Sequence, residues 1–241
     1  MRVNFLNPSI YSLRSSIHFG VNRDTGFYDT VYKEEDKFNG ALPDEFVLNK
    51  LNQYFPKSQN INVLDIGAGQ GRNSCPIAKK GYNVTAFELS QDGRASILQK
   101  AEENFVSKNL TALDQDILIE NPEFNNKYNF VFMSHVTQIF NEDKLDTVLS
   151  NIKKSMKKDG VLVFDALIRN KEQEKIKPSE EFSKSGYYNY CADEIAQIAE
   201  SHGFELKEIS DYNENSNVKS FYIDHPKWNE NVKLKWFVFK L

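Results

Sequence analysis

The chain lacks most of what would mark a membrane, metal or nucleic-acid protein. No stretch approaches the roughly 18 apolar residues that a membrane-spanning helix needs. The opening residues, Met1-Arg2-Val3-Asn4-Phe5-Leu6-Asn7-Pro8, lack the long apolar core and cleavage pattern of a secretory signal. Cytoplasmic residence is the expectation. Only two cysteines, Cys75 and Cys191, occur in 241 residues, far apart and outside any Cys-x-x-Cys or Cys/His cluster. No metal site is therefore expected, and the thiols fit a reducing compartment. Lys and Arg number 30 against 34 Asp and Glu, a net charge of −4. That balance gives no general attraction to nucleic acid or to an anionic membrane. Glycine is scarce, at 11 residues.

What remains is an ordinary globular composition, 40% hydrophobic and 27% charged, long enough for one well-buried core. A single domain over residues 1–241 is expected. Its parts are an N-terminal cap with helices (1–60), a ligand-binding core (61–168), and an insertion with the last helix and final strands (169–241).

One segment carries chemistry. In Val63-Leu64-Asp65-Ile66-Gly67-Ala68-Gly69-Gln70-Gly71-Arg72-Asn73 an apolar run with an acid leads into three alternating glycines, and a helical pattern follows. A turn without side chains lets a ligand lie against bare backbone. The third glycine comes one residue too early for the dinucleotide pattern G-x-G-x-x-G, and Arg72-Asn73 stands where a phosphate loop needs Lys-Ser or Lys-Thr. Asp65 would repel a pyrophosphate and suit a cationic group such as an ammonium. Glu88, 21 residues after Gly67, ends a second strand-like run and is placed to accept from ribose hydroxyls. An acid for an amine, a glycine turn and an acid for a ribose together describe an amino-acid nucleoside.

These residues, with Asp114–Ile117, Tyr128–Phe140 and Asp159–Asp165, resemble the class I S-adenosylmethionine-dependent methyltransferases over about residues 60–170. Arg72-Asn73 and Lys79–Thr85 also resemble, more weakly, the tellurite-resistance-like and small-molecule methyltransferases. The resemblance implies a Rossmann-like α/β fold: a doubly wound, mostly parallel seven-stranded sheet with an antiparallel last strand. It implies S-adenosyl-L-methionine as cofactor and in-line methyl transfer to a small or medium-sized acceptor. It also implies roles for Asp65, Gly67, Ala68, Gly69, Gly71 and Arg72 around the amino-acid part. Glu88 would hold the ribose and Leu89 cover the adenine. Asp116, with Asp114 as a competitor, and Ile117 would meet the adenine edge, and Ser134 the sulfonium end. His135 is the candidate base. Tyr28, Tyr32, Arg169, Tyr187, Tyr188 and Tyr190 are candidates for a lid over the acceptor. A protein acceptor, a cofactor-binding module without turnover and a nicotinamide oxidoreductase stand as alternatives. The early third glycine and Asp65 count against the last. Residues 134–138 read Ser-His-Val-Thr-Gln, unlike the Asn-Pro-Pro-Tyr of enzymes that methylate amino groups of nucleic acids.

The pattern of the chain alternates strands with helices. Helices are expected at about Pro43–Phe55, Ser74–Lys80 (starting late because of Pro76), Asp92–Asn104, Asn141–Lys157 and Asp193–Ser201. Strands are expected at Asn62–Ile66, Asn83–Glu88, Asn109–Leu113, Tyr128–Ser134, Val161–Ala166, Phe204–Tyr212 and Lys233–Leu241. Asp65, Glu88, Asp116 and Ser134 then fall at or just past strand C-terminal ends, where ligands sit in such sheets.

Overall fold

The computed structural model describes residues 28, 29, 32, 42–169, 188–212 and 232–241. Its elements run α1 (Glu45–Tyr54), β1 (Asn62–Ile66), α2 (Ser74–Lys79), β2 (Asn83–Phe87), α3 (Gln91–Glu103), β3 (Leu110–Leu113), β4 (Tyr128–Met133), α4 (Glu142–Ser155), β5 (Met156–Arg169), α5 (Ala192–Ser201), β6 (Glu205–Asp211) and β7 (Val232–Lys240). Seven strands form one sheet in the order β3-β2-β1-β4-β5-β7-β6. Strands β1 to β5 pair in parallel, and β7 runs antiparallel to both β5 and β6. The doubly wound sheet with a reversed last strand is thus present.

Alternation along the strands builds two cores. Phe130 and Phe132 of β4 face one side with Val63, Val84, Val163, Trp236 and the apolar faces of α1, α2 and α3. Val131 and Met133 face the other with Leu64, Ile66, Phe164, Phe237 and the Leu145, Leu149 and Ile152 stripe of α4. Strands buried on both faces read as continuous apolar runs, as parallel strands under crossover helices must. No helix among the described residues is long and apolar enough to cross a membrane.

Two boundaries differ from the sequence pattern. Helix α2 begins at Ser74, not late, because Pro76 sits in its first turn, where N–H groups have no intrahelical partner anyway. Helix α4 ends at Ser155, and Met156–Gly160 already belong to β5. Tyr128 pairs with Met156, and the register shifts before Phe130 meets Val161. Asp159, at φ 62°, lies in that irregular stretch. Lys153 and Lys154 remain in the last turn of α4, at the negative end of its dipole. The 1–27 segment, the Lys/Glu-rich stretch 170–187 and the loop 213–231 lie outside the described residues.

The order of connection reverses beside β1. The chain goes from β1 outward to β2 and β3, then returns to β4 on β1's other side. This switch point is where open α/β sheets hold their ligands.

Candidate functional site

The glycine turn leaves β1 at that point. Gly67, Gly69 and Gly71 have φ of 69°, 57° and 78°, the left-handed region that other residues enter only at a cost. The amides of Gly67 and Ala68 donate to the Phe87 carbonyl of β2 at 2.8 and 3.1 Å. Gly67 is exposed and Ala68 and Gly69 are half-buried, but Gly71 is buried. A Cβ on Gly71 would meet Ile97 of α3 at 3.0 Å and Cys75 at 3.2 Å. Packing between α2 and α3 therefore leaves no room for a side chain at this third glycine.

Glu88 follows β2 directly. Its carboxylate accepts from Gly69 N–H at 2.7 Å and from Ser90 N–H at 2.8 Å. Burial pushes its carboxyl above the ordinary value, against the opposing pull of those two amides and of Arg94. Arg94 donates to the carbonyls of Glu88 and Leu89. Gly93 lets α3 come close: a Cβ there would stand 2.9 Å from both Glu88 Cγ and the Gly69 carbonyl. Asp116 accepts from Leu118 N–H within its own turn. Asp114 is largely exposed and pairs with Arg94 at 3.4 Å. Ile117 is buried against the α4 side of the sheet, and Leu89 is half-buried.

Asp65 lies below the turn, 2% exposed, and accepts from Ser74 Oγ at 2.5 Å. Burial pushes its carboxyl up to about 7. It acts on the turn through Ser74 and α2, and its carboxylate does not face open solvent.

On the β4 side a second network appears. Ser134 Oγ donates to Asp44 at 2.5 Å and accepts from Arg72 at 3.2 Å. Arg72 pairs with Asp44 at 2.7 Å. Burial works to raise the Asp44 carboxyl, but Arg72, then His135 and Ser134, outweigh it and hold it below the usual range. His135 takes a left-handed φ of 63°. Its amide donates to Asp165 Oδ1 at 2.8 Å, and its Nδ1 lies 2.7 Å from Asp165 Oδ2. The ring meets Tyr212 edge-on, with centroids 5.5 Å apart.

The candidate lid divides. Tyr32 lies over the turn, its hydroxyl 3.1 Å from a Cβ position on Gly69 and its carbonyl accepting from Gln70 at 3.2 Å. Tyr28 packs on Tyr32 with ring centroids 5.8 Å apart. Tyr188 is exposed, and its amide bonds to the Gln138 carbonyl. Arg169 is engaged elsewhere: both oxygens of Glu194 and the Asn189 carbonyl take its guanidinium, tying β5 to the start of α5. Tyr190 is 1% exposed and donates to the Phe140 carbonyl, a core residue rather than a lid. Tyr187 lies outside the described residues.

Residues 40–209 match a family described as a methyltransferase domain. The chain belongs to that methyltransferase-domain family. Among curated relatives, the ubiquinone biosynthesis O-methyltransferase of Rickettsia canadensis is 24% identical over 128 residues, 53% of this chain and 52% of that protein. The probable S-adenosyl-L-methionine-dependent methyltransferase TehB of Haemophilus influenzae is 25% identical over 152 residues, 63% of this chain and 50% of that one. The chain thus spans about half the length of these two relatives. The solved phosphoethanolamine N-methyltransferase 2 of Haemonchus contortus superposes with a TM-score of 0.66 at 18% identity, over 92% of this chain and 60% of that one. That likeness establishes the fold of this methyltransferase-family chain.

Four residues of the site escape sequence reasoning: Asp29, Asp44, Asp165 and Tyr212. Asp29 takes the Ser90 hydroxyl and, at 3.4 Å, the Asp92 amide. Asp165 alone left a trace, a single acid inside the apolar run Val161–Ile168.

Proposed function

We propose that the chain binds S-adenosylmethionine across the ends of β1, β2 and β4 and transfers its methyl group to a small or medium-sized acceptor. One observation carries the reading within this family: the buried Glu88 carboxylate bonded to the Gly69 amide at 2.7 Å. It joins the strand-end acid to the glycine turn. A carboxylate has about four acceptor positions, so Glu88 keeps capacity for two ribose hydroxyls beside its two amide donors. Glu88, buried beside the glycine turn and bonded to its Gly69 amide, is the acceptor that a nucleoside's ribose hydroxyls fit.

Within this reading Gly67, Ala68 and Gly69 offer backbone to the amino-acid part, and Asp65 supports them from below. Leu89 and Ile117 flank the adenine and Asp116 accepts from its amine. Arg72 stands with the amino-acid part, Ser134 borders the sulfonium end, Tyr28 and Tyr32 form a lid over the acceptor, and His135 handles the acceptor's proton. The bound cofactor supplies a methyl already activated on sulfur, so orientation of the acceptor supplies much of the rate.

Calorimetric titration with S-adenosylhomocysteine tests the proposal, with Glu88→Ala as the site control. Binding to the wild type, weakened by about 1.5–3 kcal/mol in the variant because a charged hydrogen-bond acceptor is lost, is the expected result. No heat at millimolar ligand overturns it.

A further inference from the structure

Helix α3 ends on a residue that its own turn does not call for. The Phe105 N–H bonds to the Glu102 carbonyl at 3.0 Å and the Val106 N–H to the Ala101 carbonyl at 2.9 Å. That pair of bonds closes a helix through a left-handed residue, ordinarily glycine. Here the residue is Phe105, at φ 58° and 96% exposed. A bulky side chain strains left-handed backbone, and an exposed ring adds nothing to the core. Val106 and Ala101 already supply the buried contact of the turn. Strain without a packing role points to a use outside the folded core.

Phe105 lies between α3 and β3, on the sheet edge where the parallel strands begin. Hydrogen bonds draw that edge together. The Val84 N–H reaches the Asn109 carbonyl, the Asn83 N–H the Ile61 carbonyl, and the Asn62 carboxamide the Lys127 carbonyl. Lysines crowd the same edge. Lys57 precedes β1, Lys79 and Lys80 precede β2, Lys108 precedes β3 and Lys127 precedes β4, and all five are exposed. Lys157 and Lys158 open β5, just after Lys153 and Lys154 in the last turn of α4. The acids there are Glu102, Glu103, Glu123, Glu120, which pairs with Lys154, and Asp159, which faces Lys240 at 3.8 Å. The net charge of −4 therefore hides a division along the strands. Lysines gather where they start, and the buried Asp65, Glu88 and Asp165 stand where they end.

The type of cation selects the partner. Among the described residues no arginine stands on this edge. Arg72 belongs to the glycine turn, Arg94 to the first turn of α3 and Arg169 to the end of β5. Recognition of nucleic acid draws on the planar fork of arginine, whereas lysine is a hydrated point charge. Point charges suit a diffuse anionic surface. An apolar ring among them suits the boundary of a bilayer, where the ring enters the headgroup layer and the ammonium groups meet anionic headgroups.

We propose that the strand-start edge docks on an anionic lipid surface, with Phe105 entering the headgroup layer and the lysines around it meeting lipid phosphates. The glycine turn, at the far end of β1, then faces away from the lipid, open to an acceptor dissolved in water. The docking goes beyond the methyltransferase reading and does not depend on it.

The test is co-sedimentation of the whole chain with vesicles of phosphatidylcholine alone and of an equal mixture of phosphatidylcholine and phosphatidylglycerol. Pelleting with the mixture but not with phosphatidylcholine is expected, with release at about 1 M salt. Phe105→Gly should weaken partition about ten-fold, through loss of a partly buried ring. Its Tm should rise, because glycine relieves the left-handed turn. Lys79→Ala, Lys80→Ala and Lys108→Ala combined should weaken partition about 100-fold, at about five-fold for each lysine. Phe105→Trp should add emission that shifts to the blue with the mixture only. Calorimetric titration with S-adenosylhomocysteine should be unchanged in each variant, which keeps failure of the docking apart from failure of the cofactor site.

Absence of pelleting with the mixture at low salt overturns the proposal. So does tighter binding to duplex DNA or to polyglutamate than to the mixed vesicles, which makes the partner a nucleic acid or an acidic protein. Equal pelleting of wild type and Phe105→Gly removes the ring from the contact, and equal pelleting with both kinds of vesicle removes the charge.

Discussion

Val136 Cγ2 stands 2.5 Å from the point that a Cβ on Gly67 would occupy. The first glycine of the turn is therefore set by two separate constraints. One is its φ of 69°. The other is a valine arriving from the end of β4, an adjacent strand.

The two constraints can be measured apart. Gly67→Ala carries a left-handed backbone cost of about 1–2 kcal/mol and an overpacking cost of about 1–3 kcal/mol. Adding Val136→Ala removes the clash and leaves the backbone cost. Thermal unfolding should show a lower Tm for Gly67→Ala and partial recovery in the double variant. Binding of S-adenosylhomocysteine should follow the same order. A double variant no better than Gly67→Ala would show that the Val136 contact contributes nothing.

How far the sequence reveals this arrangement depends on how local each cause is. Strand β1, the glycine turn and Glu88 are legible because alternation, positive-φ residues and spacing are written in consecutive letters. Pro76 misleads about the start of α2 because proline is penalised in a helix interior but not in a first turn. The Asp159-Gly160 turn is legible as a break, yet the pairing of Tyr128 with Met156, which starts β5 early, depends on a neighbouring strand. Gly71 looks like its two companions in sequence, and only the position of Ile97 shows that it packs. Arg169 looks like a free cation until α5 brings Glu194 to it. Asp44 sits 28 residues from Arg72 and 90 from Ser134, and no local pattern reports such a meeting.

Asp65 predicts a pH dependence opposite to that of most carboxylates. Its folded value is pushed up, mainly by burial, from 3.8 to about 7. Between those values the folded protein binds a proton that the unfolded chain has released. Its contribution to stability is therefore complete below about pH 4 and is lost as pH rises through about 7. Asp65→Asn removes the ionisation and keeps an acceptor for Ser74. Its Tm should match the wild type near pH 4 and exceed it at pH 8. Its affinity for a cationic ligand should fall at pH 8, a stability–function exchange of a common kind. A wild-type Tm advantage at pH 8 would show that the buried carboxylate is not the destabilising group.

The Asp44–Arg72 pair makes the contrary prediction. Both partners are buried, with 2% and 11% side-chain exposure. The carboxyl is held low, since Arg72, His135 and Ser134 together outweigh its burial. Its contribution to stability is present above the ordinary value near 3.8 and is lost as pH falls through the lowered folded value. Arg72→Met leaves Asp44 buried without its cation, which costs about 3–5 kcal/mol at neutral pH. Burial then prevails, the carboxyl takes up a proton more readily, and the deficit should shrink toward pH 4. Asp44→Asn combined with Arg72→Met removes both charges, and the new carboxamide keeps hydrogen-bond capacity for Tyr212 and Ser134. This double variant should be more stable at pH 7 than Arg72→Met alone. Denaturant titrations at pH 4 and 7 check both statements. Equal losses in the single and double variants would put the cost in the lost packing of the Arg72 stem, not in a stranded charge.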